Sequence, residues 1–329
     1  VMAAVIKPTG IMDEETDNLE NMDINAFHKL THERENIMRY SATRLGYKLT
    51  GKLQPCIHCA KHKAKRKNMN KVTMQNHNEA RGERIAVDGT SCKHASFGGN
   101  KYVNVKMDHG SGMVFPHFMK KKSQYVKDTL DFLDHLEKKY KITPKYLRMD
   151  NSGENKKLAA ILKKHKPQIT IEFTAKGTPQ QNGKLERTIA TLWNRTGSML
   201  DVAGSSPTSK RLLWSQAFQM ACDIYNISTS HKDEKTKWEK WSNQMPRWCK
   251  KLRAFGDIGI VKKTGKAGHI EEKGFEGMMV GYCDDSAEEV YKMLNLATNR
   301  VSTARDVRWL NKSFGEFMKE GSEEDSHEE

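Results

Sequence analysis

Apolar and polar positions change period several times along the chain, and each change predicts an element. Ile85–Asp88 is a short apolar run that ends on its acid. In Lys101–Asp108, Val103, Val105 and Met107 alternate with Tyr102, Asn104 and Lys106, the period-two pattern of a strand with two different faces. Met113–Met119 is a third strand, and Gly98-Gly99-Asn100 and Gly110-Ser111-Gly112 supply the turns of an antiparallel meander. The period then lengthens: Val126, Leu130, Leu133, Leu136 and Tyr140 fall on one side of a helix. Tyr146–Met149 predicts a strand ending at Asp150, Glu154–His165 a helix, and Ile169, Ile171 and Phe173 another strand. After a loop from Gly177 to Gly183, Leu185, Ile189, Leu192, Thr196 and Met199 make one face of a long helix, followed by a helix over Leu212–Ile227. The order βββ-α-β-α-β-α-α specifies an α/β layer with a mixed sheet, because the first three strands are too close together for crossovers. Residues 228–250 show no clear period. Short strands return at Ile258–Val261, Met278–Tyr282, Val290–Leu296 and Arg300–Val307, predicting a small β-rich unit.

Charge adds what periodicity does not. The chain of 329 residues has a net charge of +15, yet both ends are acidic. Residues 1–23 contribute -5 and residues 316–329 contribute -6, which leaves +26 on residues 24–315. A body this basic calls for a polyanion, with nucleic acid ahead of a membrane surface, since each neutralised phosphate releases counterions. Mean hydropathy is -0.78 and no apolar run approaches a membrane span, so no membrane partner is expected. The acidic ends predict a tether at the start and a disordered tail at the finish. Residues 1–23 lack the pattern of a signal peptide, and the chain reads as a piece of something longer.

Of six cysteines, only Cys56 and Cys59 are close together. With His28 and His32 upstream they form His-x3-His followed, after 23 residues, by Cys-x2-Cys. Two histidines four apart share a helix face, and a Cys-x2-Cys turn aims two thiolates at one ion. The result is the N2S2 set that tetrahedral Zn2+ prefers, with no open position and therefore a structural role. His58 and His62 stand beside the cysteines as competing ligands, and the plain alternative is surface histidines with two free thiols.

Three carboxylates compose a second candidate centre: Asp88 and Asp150 at strand ends and Glu186 near the start of the long helix. Phosphodiester chemistry needs an activated oxygen nucleophile and a stabilised leaving oxygen, which two Mg2+ ions on carboxylate ligands supply. Bare carboxylates so close repel, so their pKa values are expected to rise. Lys184, Arg187 and Arg195 fall on one side of the long helix, away from its core face, and would hold nucleic acid. Acids at strand ends are common, and Asp108, Glu154 and Glu172 look much the same.

At these residues the sequence resembles the integrase region of copia-type LTR retrotransposon Pol polyproteins, from about His28 to Leu310. Asp150-Asn151-Ser152-Gly153-Glu154 resembles the family's Asp-Asn-Gly-Gly-Glu motif. Thr178-Pro179-Gln180-Gln181-Asn182-Gly183 with Glu186-Arg187 resembles its most specific signature. Leu252-Arg253-Ala254-Phe255-Gly256, Val280-Gly281-Tyr282 and Ala304-Arg305-Asp306-Val307 match the segment after the core. Ser152 stands where glycine is commoner, Met107-Asp108-His109 replaces a usual Asp-Asp-Tyr, and Ser228–Met245 matches poorly.

The resemblance implies an RNase H-like five-stranded mixed sheet with flanking helices, a small helical zinc-binding module before it and a small β-rich domain after it. The corresponding segments are an acidic tether (1–23), the zinc module (24–71), a catalytic core (84–228), a basic linker (229–250), the β-rich domain (251–310) and an acidic tail (311–329). It implies catalysis by Asp88, Asp150 and Glu186 with two Mg2+ or Mn2+ ions, structural Zn2+ on His28, His32, Cys56 and Cys59, and DNA contacts by Gln181, Asn182, Lys184, Arg187 and Arg195. The implied reaction is strand transfer: a DNA 3′-hydroxyl attacks a target phosphodiester in line, with no covalent protein intermediate. The implied partners are element DNA ends, host target DNA and further copies of the chain. The place of action would be the nucleus, after a cytoplasmic particle or cytoplasm. An inactive or domesticated nucleic-acid-binding relic, and a nuclease that cleaves without joining, are the competing functions.

Overall fold

In the computed structural model, residues 19–63, 79–173, 183–231, 233–263, 270, 272–283 and 288–325 are described. In chain order the first elements are β1 (Glu20–Asp23), α1 (Ile24–Thr31), α2 (Glu35–Arg44), β2 (Tyr47–Thr50) and α3 (Ile57–Lys63). β1 pairs in parallel with β2, so residues 20–23, expected in the acidic tether, are tied to the module that follows. Asp23 caps α1 by accepting from the backbone N–H groups of Asn25 and Ala26.

The central layer holds β3 (Arg84–Ser91), β4 (Tyr102–Asp108), β5 (Val114–Met119), α4 (Tyr125–His135), β6 (Tyr146–Met149), α5 (Gly153–His165), β7 (Thr170–Phe173), α6 (Gly183–Val202) and α7 (Pro207–Ile227). Its sheet runs β5-β4-β3-β6-β7, antiparallel through the first three strands and parallel from β3 to β6 to β7. This is the RNase H-like arrangement. Ile85, Val87, Leu147 and Met149 bury one face under α4 and α5, through Leu133, Leu158 and Leu162. Ala86, Val103, Val105 and Met107 bury the other face under α6 and α7. Both faces being covered explains why β3 is apolar on each side (Ile85, Ala86 and Val87 are all fully buried) and shows no alternation.

Beyond α7 lie α8 (Lys237–Ser242), β8 (Asp257–Lys262), β9 (Gly274–Tyr282), β10 (Tyr291–Asn295), β11 (Val301–Ala304), β12 (Val307–Ser313) and α9 (Phe314–Asp325). The second sheet runs β11-β10-β9-β8-β12 and is antiparallel throughout. Two expectations change here. Residues 228–250 lack periodicity but are not a loose connection. Trp241 inserts into the core beneath α4, edge-on to Phe115 and Tyr140, and Trp248 stacks on Tyr282 with ring centroids 4.3 Å apart. The acidic finish is helical over residues 314–325, anchored where Phe314 and Phe317 pack on the main core. One continuous apolar cluster joins Ile24, Phe27 and Met38 of the first module, α6 and α7, and Met278, Val280 and Tyr282 of the second sheet. Gly204 and Gly315 meet backbone to backbone at that junction, where a Cβ on Gly204 would lie 2.5 Å from the Gly315 Cα.

Candidate functional site

Two places gather ligand-bearing side chains. In the first, His28 lies in the last turn of α1 and Cys59 in α3, with Cys56 just before α3. His32 does not share the helix face as its spacing predicts. It is the capping residue after α1, left-handed at φ 49°, and its backbone N–H donates to the His28 carbonyl at 2.8 Å. That turn aims its ring back at the same point as His28. His28 Nε2 and His32 Nδ1 each lie 3.3 Å from Cys59 Sγ, and His32 Nδ1 lies 4.0 Å from Cys56 Sγ. All four ligand atoms fall within 4.8 Å of one another. Tetrahedral Zn2+ with bonds of roughly 2.0–2.3 Å separates neighbouring N and S ligands by about 3.5 Å, so the donor set and its spacing fit that ion. Burial, aided by Lys63, lowers the His28 pKa to about 4, and burial with the neighbouring cations lowers that of His32 to about 3. Both imidazoles are therefore neutral at pH 7, the form that binds metal.

The competing histidines are engaged elsewhere. His62 Nε2 lies 2.6 Å from Asp201 Oδ2 and His58 Nδ1 lies 3.5 Å from the same oxygen. Asp201, on α6, is also paired with Lys210; burial raises its pKa, but these partners outweigh it and hold the carboxyl at about 2. Gly197 lets α3 approach: a Cβ there would stand 2.4 Å from the His62 ring. Arg195 completes the docking through a buried ion pair with Glu33. This corrects its expected part in a DNA-facing row. Its guanidinium is sealed between the module and Tyr225, only 1% exposed, and does not reach solvent.

The second place lies where β3 and β6 part. β6 pairs with β3 only at Arg84, Ile85 and Ala86, so β3 runs on alone on that side. Asp88 consequently sits mid-strand, opposite Val105, rather than at a strand end. Asp150 follows the last residue of β6, and both acids line one cavity of about 280 Å³ with Tyr125, Ser152, Glu154 and Asn155. Ser152, the departure from glycine, caps α5 by accepting from the Asn155 N–H at 3.4 Å. Glu186 occupies the first turn of α6, exposed and outside the residues that line the cavity. Its charge still reaches Asp88: burial first, then Asp150, and with them Glu186, push the Asp88 carboxyl up to about 6. The three carboxylates are not in mutual contact; among the described residues, the His/Cys set is the only group drawn within 4.8 Å. Anions repel, and the chemistry of three hard oxygen donors around a basic surface fits Mg2+ or Mn2+.

The look-alike acids have structural work. Asp108 is buried and accepts from Gly82 N–H at 2.9 Å, Ser111 N–H at 2.7 Å and Ser111 Oγ at 2.6 Å. Glu172 bridges Arg84 and Arg148. Glu154 is different: it lines the cavity and pairs with Lys122 at 3.1 Å. Lys184 and Arg187 are exposed on α6, Lys184 folding back so that Nζ donates to the His109 carbonyl at 3.0 Å. Gln181, Asn182 and most of the loop from Gly177 lie outside the described residues. Sequence reasoning passed over Tyr125 and Asn155. Their only sequence signal is position, Asn155 standing five residues after Asp150 within the same motif.

No protein-family model matches the chain. Over 219 residues it is 29% identical to the retrovirus-related Pol polyprotein from transposon TNT 1-94 of Nicotiana tabacum, covering 64% of this chain and 16% of that one. Over 235 residues it is 26% identical to the Pol polyprotein from transposon RE2 of Arabidopsis thaliana, covering 70% and 16%. The chain is similar to the integrase region of a retrotransposon Pol polyprotein. It spans about a sixth of the length of these two relatives. Among solved structures, the HTLV-2 integrase catalytic core domain in complex with magnesium aligns with 50% of this integrase-like chain and 98% of its own, at TM-score 0.36 and 18% identity. A simian T-cell lymphotropic virus intasome in complex with PP2A regulatory subunit B56 gamma aligns with 74% of it and 81% of its own, at TM-score 0.41 and 14% identity. Among the described residues no helix is long and apolar enough to cross a membrane.

Proposed function

We propose that the chain is a DNA strand-transfer enzyme, an integrase acting with further copies of itself on two DNA ends and a target duplex. The observation that carries this reading is the shared cavity of Asp88 and Asp150, with the Glu186 charge close enough to raise Asp88. The segments 24–71, 84–228 and 251–310 would serve as zinc module, catalytic core and DNA-binding unit, joined by the basic segment 229–250.

Asp88, Asp150 and Glu186 would hold the divalent cations, whose chemistry is to activate the attacking 3′-hydroxyl and stabilise the departing oxygen. The exposed cations Lys184 and Arg187 flank Glu186 and would grip backbone phosphates, adding affinity without reading sequence. The new bond joins the 3′-oxygen to the target phosphorus as the target P–O3′ bond breaks, leaving a free 3′-hydroxyl and no protein-bound intermediate. The His/Cys module would carry Zn2+ and, through Glu33 and His62, brace the C-terminal half of the helix that bears Glu186. Chromosomal target DNA would put this step in the nucleus.

The test is joining of a labelled duplex oligonucleotide to a second duplex by the full chain with Mg2+ or Mn2+. Joined product that disappears in Asp150→Asn is the expected result. Unchanged joining in that variant refutes the assignment; cleavage without joining points to a nuclease, and salt-dependent binding without either to a non-catalytic relic.

A further inference from the structure

Asp150 follows the end of a strand and is exposed, a poor position for a ligand that must hold one orientation. Two donors restrain it. The Ser152 backbone N–H reaches Asp150 Oδ1 at 3.2 Å, and Asn155 Nδ2 reaches the same oxygen in a short hydrogen bond. Asn155 Nδ2 also donates to the Asp150 backbone carbonyl at 3.1 Å, so one amide grips both ends of the residue. With Oδ1 occupied, Oδ2 takes no hydrogen bond from the described residues and is the oxygen left for a cation.

Asn155 is itself almost fully buried at 2% exposure, so the direction of its amide matters. A side-chain amide has a donor end and an acceptor end of nearly equal size. If it turned over, its oxygen would face the Asp150 carboxylate and repel it. Something must therefore recognise the far end, Asn155 Oδ1, which is buried without a hydrogen-bond partner. The Tyr125 hydroxyl is buried without one as well, and it lines the same cavity. The Asn155 side chain, Asp88 and Asp150 are all near enough to influence this phenol, whose pKa burial and the two carboxylates drive upward, so it stays a donor. Its ring rests against Gly89, where a Cβ would lie 3.4 Å away, the residue next to Asp88. A donor and an acceptor left unpaired at one cavity are costly, and a hydrogen bond from the phenol to the amide oxygen would satisfy both.

We propose that Tyr125 and Asn155 are positioning residues acting in series: the Tyr125 hydroxyl fixes the amide of Asn155, and the amide turns Asp150 so that Oδ2 faces the metal. This rests on Asp150 being a metal ligand. Neither residue touches the reacting atoms. The relay spans both sides of the cavity, since Tyr125 lies against Gly89 of β3 while Asn155 lies on α5 behind β6.

Tyr125→Phe removes one oxygen and keeps the ring on Gly89; Asn155→Ala removes the amide. The measurement is Mn2+ binding to the full zinc-loaded chain, followed by electron paramagnetic resonance of free ion, with Asp150→Asn defining the site. Outer partners of metal ligands typically change affinity by 10- to 100-fold. Each variant should weaken Asp150-dependent binding by about tenfold or more, and the double variant should be no weaker than Asn155→Ala alone. Joining activity should need more Mg2+ in each variant yet recover at saturating Mg2+, a change in metal requirement rather than in maximal rate. Wild-type Mn2+ affinity in both single variants overturns the relay while leaving the proposed function intact, and a double variant weaker than Asn155→Ala overturns the series order. Absence of any Asp150-dependent Mn2+ binding in the unaltered chain overturns the relay together with the reading beneath it.

Discussion

The His/Cys set and the carboxylate set both offer ligand atoms for a cation, yet only the first draws them to one point. Neutral imidazoles and thiols can sit 3.3 Å apart at no electrostatic cost, and burial keeps both histidines neutral. Carboxylates approaching that closely would carry like charge, and burial first, then the neighbouring Asp150 charge, already raises Asp88. The charge state of the ligands decides how far a chain can preorganise a metal site. The soft, neutral set is completed by packing, while the hard, anionic set keeps its members on three separate elements, β3, the end of β6 and α6. The supporting contacts follow the same division. Glu33 and His62 bind the zinc module tightly to α6, whereas Glu186 at the other end of α6 adjoins the loop outside the described residues.

The widest break in this comparison comes from removing a ligand of the closed set. Cys59→Ser deprives the cluster of the sulfur that touches both histidines. Structural zinc is worth roughly 10–16 kcal/mol in isolated zinc-finger peptides, more than most domains have in total, so even a fraction of that is decisive for so small a module. Zinc content should drop from one ion per chain to near zero, and amide protection in α1 and α3 should collapse while that of β3 and β4 persists. Wild-type protection in α1 and α3 after loss of zinc would mean that packing on α6 alone holds the module.

The open set should respond in the opposite direction. Asp88 has a folded-state pKa of about 6 against 3.8 in the unfolded chain. Between those values the folded state holds a proton that the unfolded state releases, so stability falls as pH rises through this window. The deficit is complete above about pH 6 and absent below about pH 4. Two pK units correspond to about 3 kcal/mol, and Asp88→Asn removes most of that burden. In buffer without added divalent cation, the variant should be stabler than wild type by about 2–3 kcal/mol at pH 7.5 and equal to it at pH 3.5, read by urea denaturation. Added Mn2+ should raise the wild type and not the variant. A variant destabilised at pH 7.5 would show that Asp88 is a structural acid.

How much of this was legible in the sequence differs between the same two regions. An unbroken apolar run located β3, alternation located β4 and β7, and helical periods located α4 to α7, because a strand covered on both faces and amphipathic helices each leave a mark in the order of residues. The gathering of His28, His32, Cys56 and Cys59 was legible because each pair's spacing is local. What escaped was non-local or aperiodic. Nothing in the run around Trp241 and Trp248 indicates burial, since each tryptophan enters a core built by distant strands. The helix over residues 314–325 is anchored by two phenylalanines and otherwise reads as acidic tail. Asp108, Glu154 and Glu172 could be sorted from Asp88 only by their partners. Arg195 misled because helical spacing separates a core face from its opposite, while α6 is covered on a further side by the zinc module.

That last difference also gives the finest test. Arg187 and Arg195 are eight residues apart on α6, the first exposed and the second sealed against Glu33. If DNA lies across the exposed face near Glu186, Arg187→Gln removes one phosphate contact. Non-specific duplex affinity should fall a few-fold, and the slope of log K against log salt should become shallower by about one. The buried guanidinium releases no counterion on binding, so Arg195→Gln should leave that slope unaltered while loosening α3 and the residues around Glu33 from α6. Fluorescence anisotropy over a salt series reads the slope, and hydrogen exchange reads the docking. Equal loss of slope in both variants would require the zinc module to lift off α6 when DNA binds, exposing Arg195 and turning the brace into a moving part.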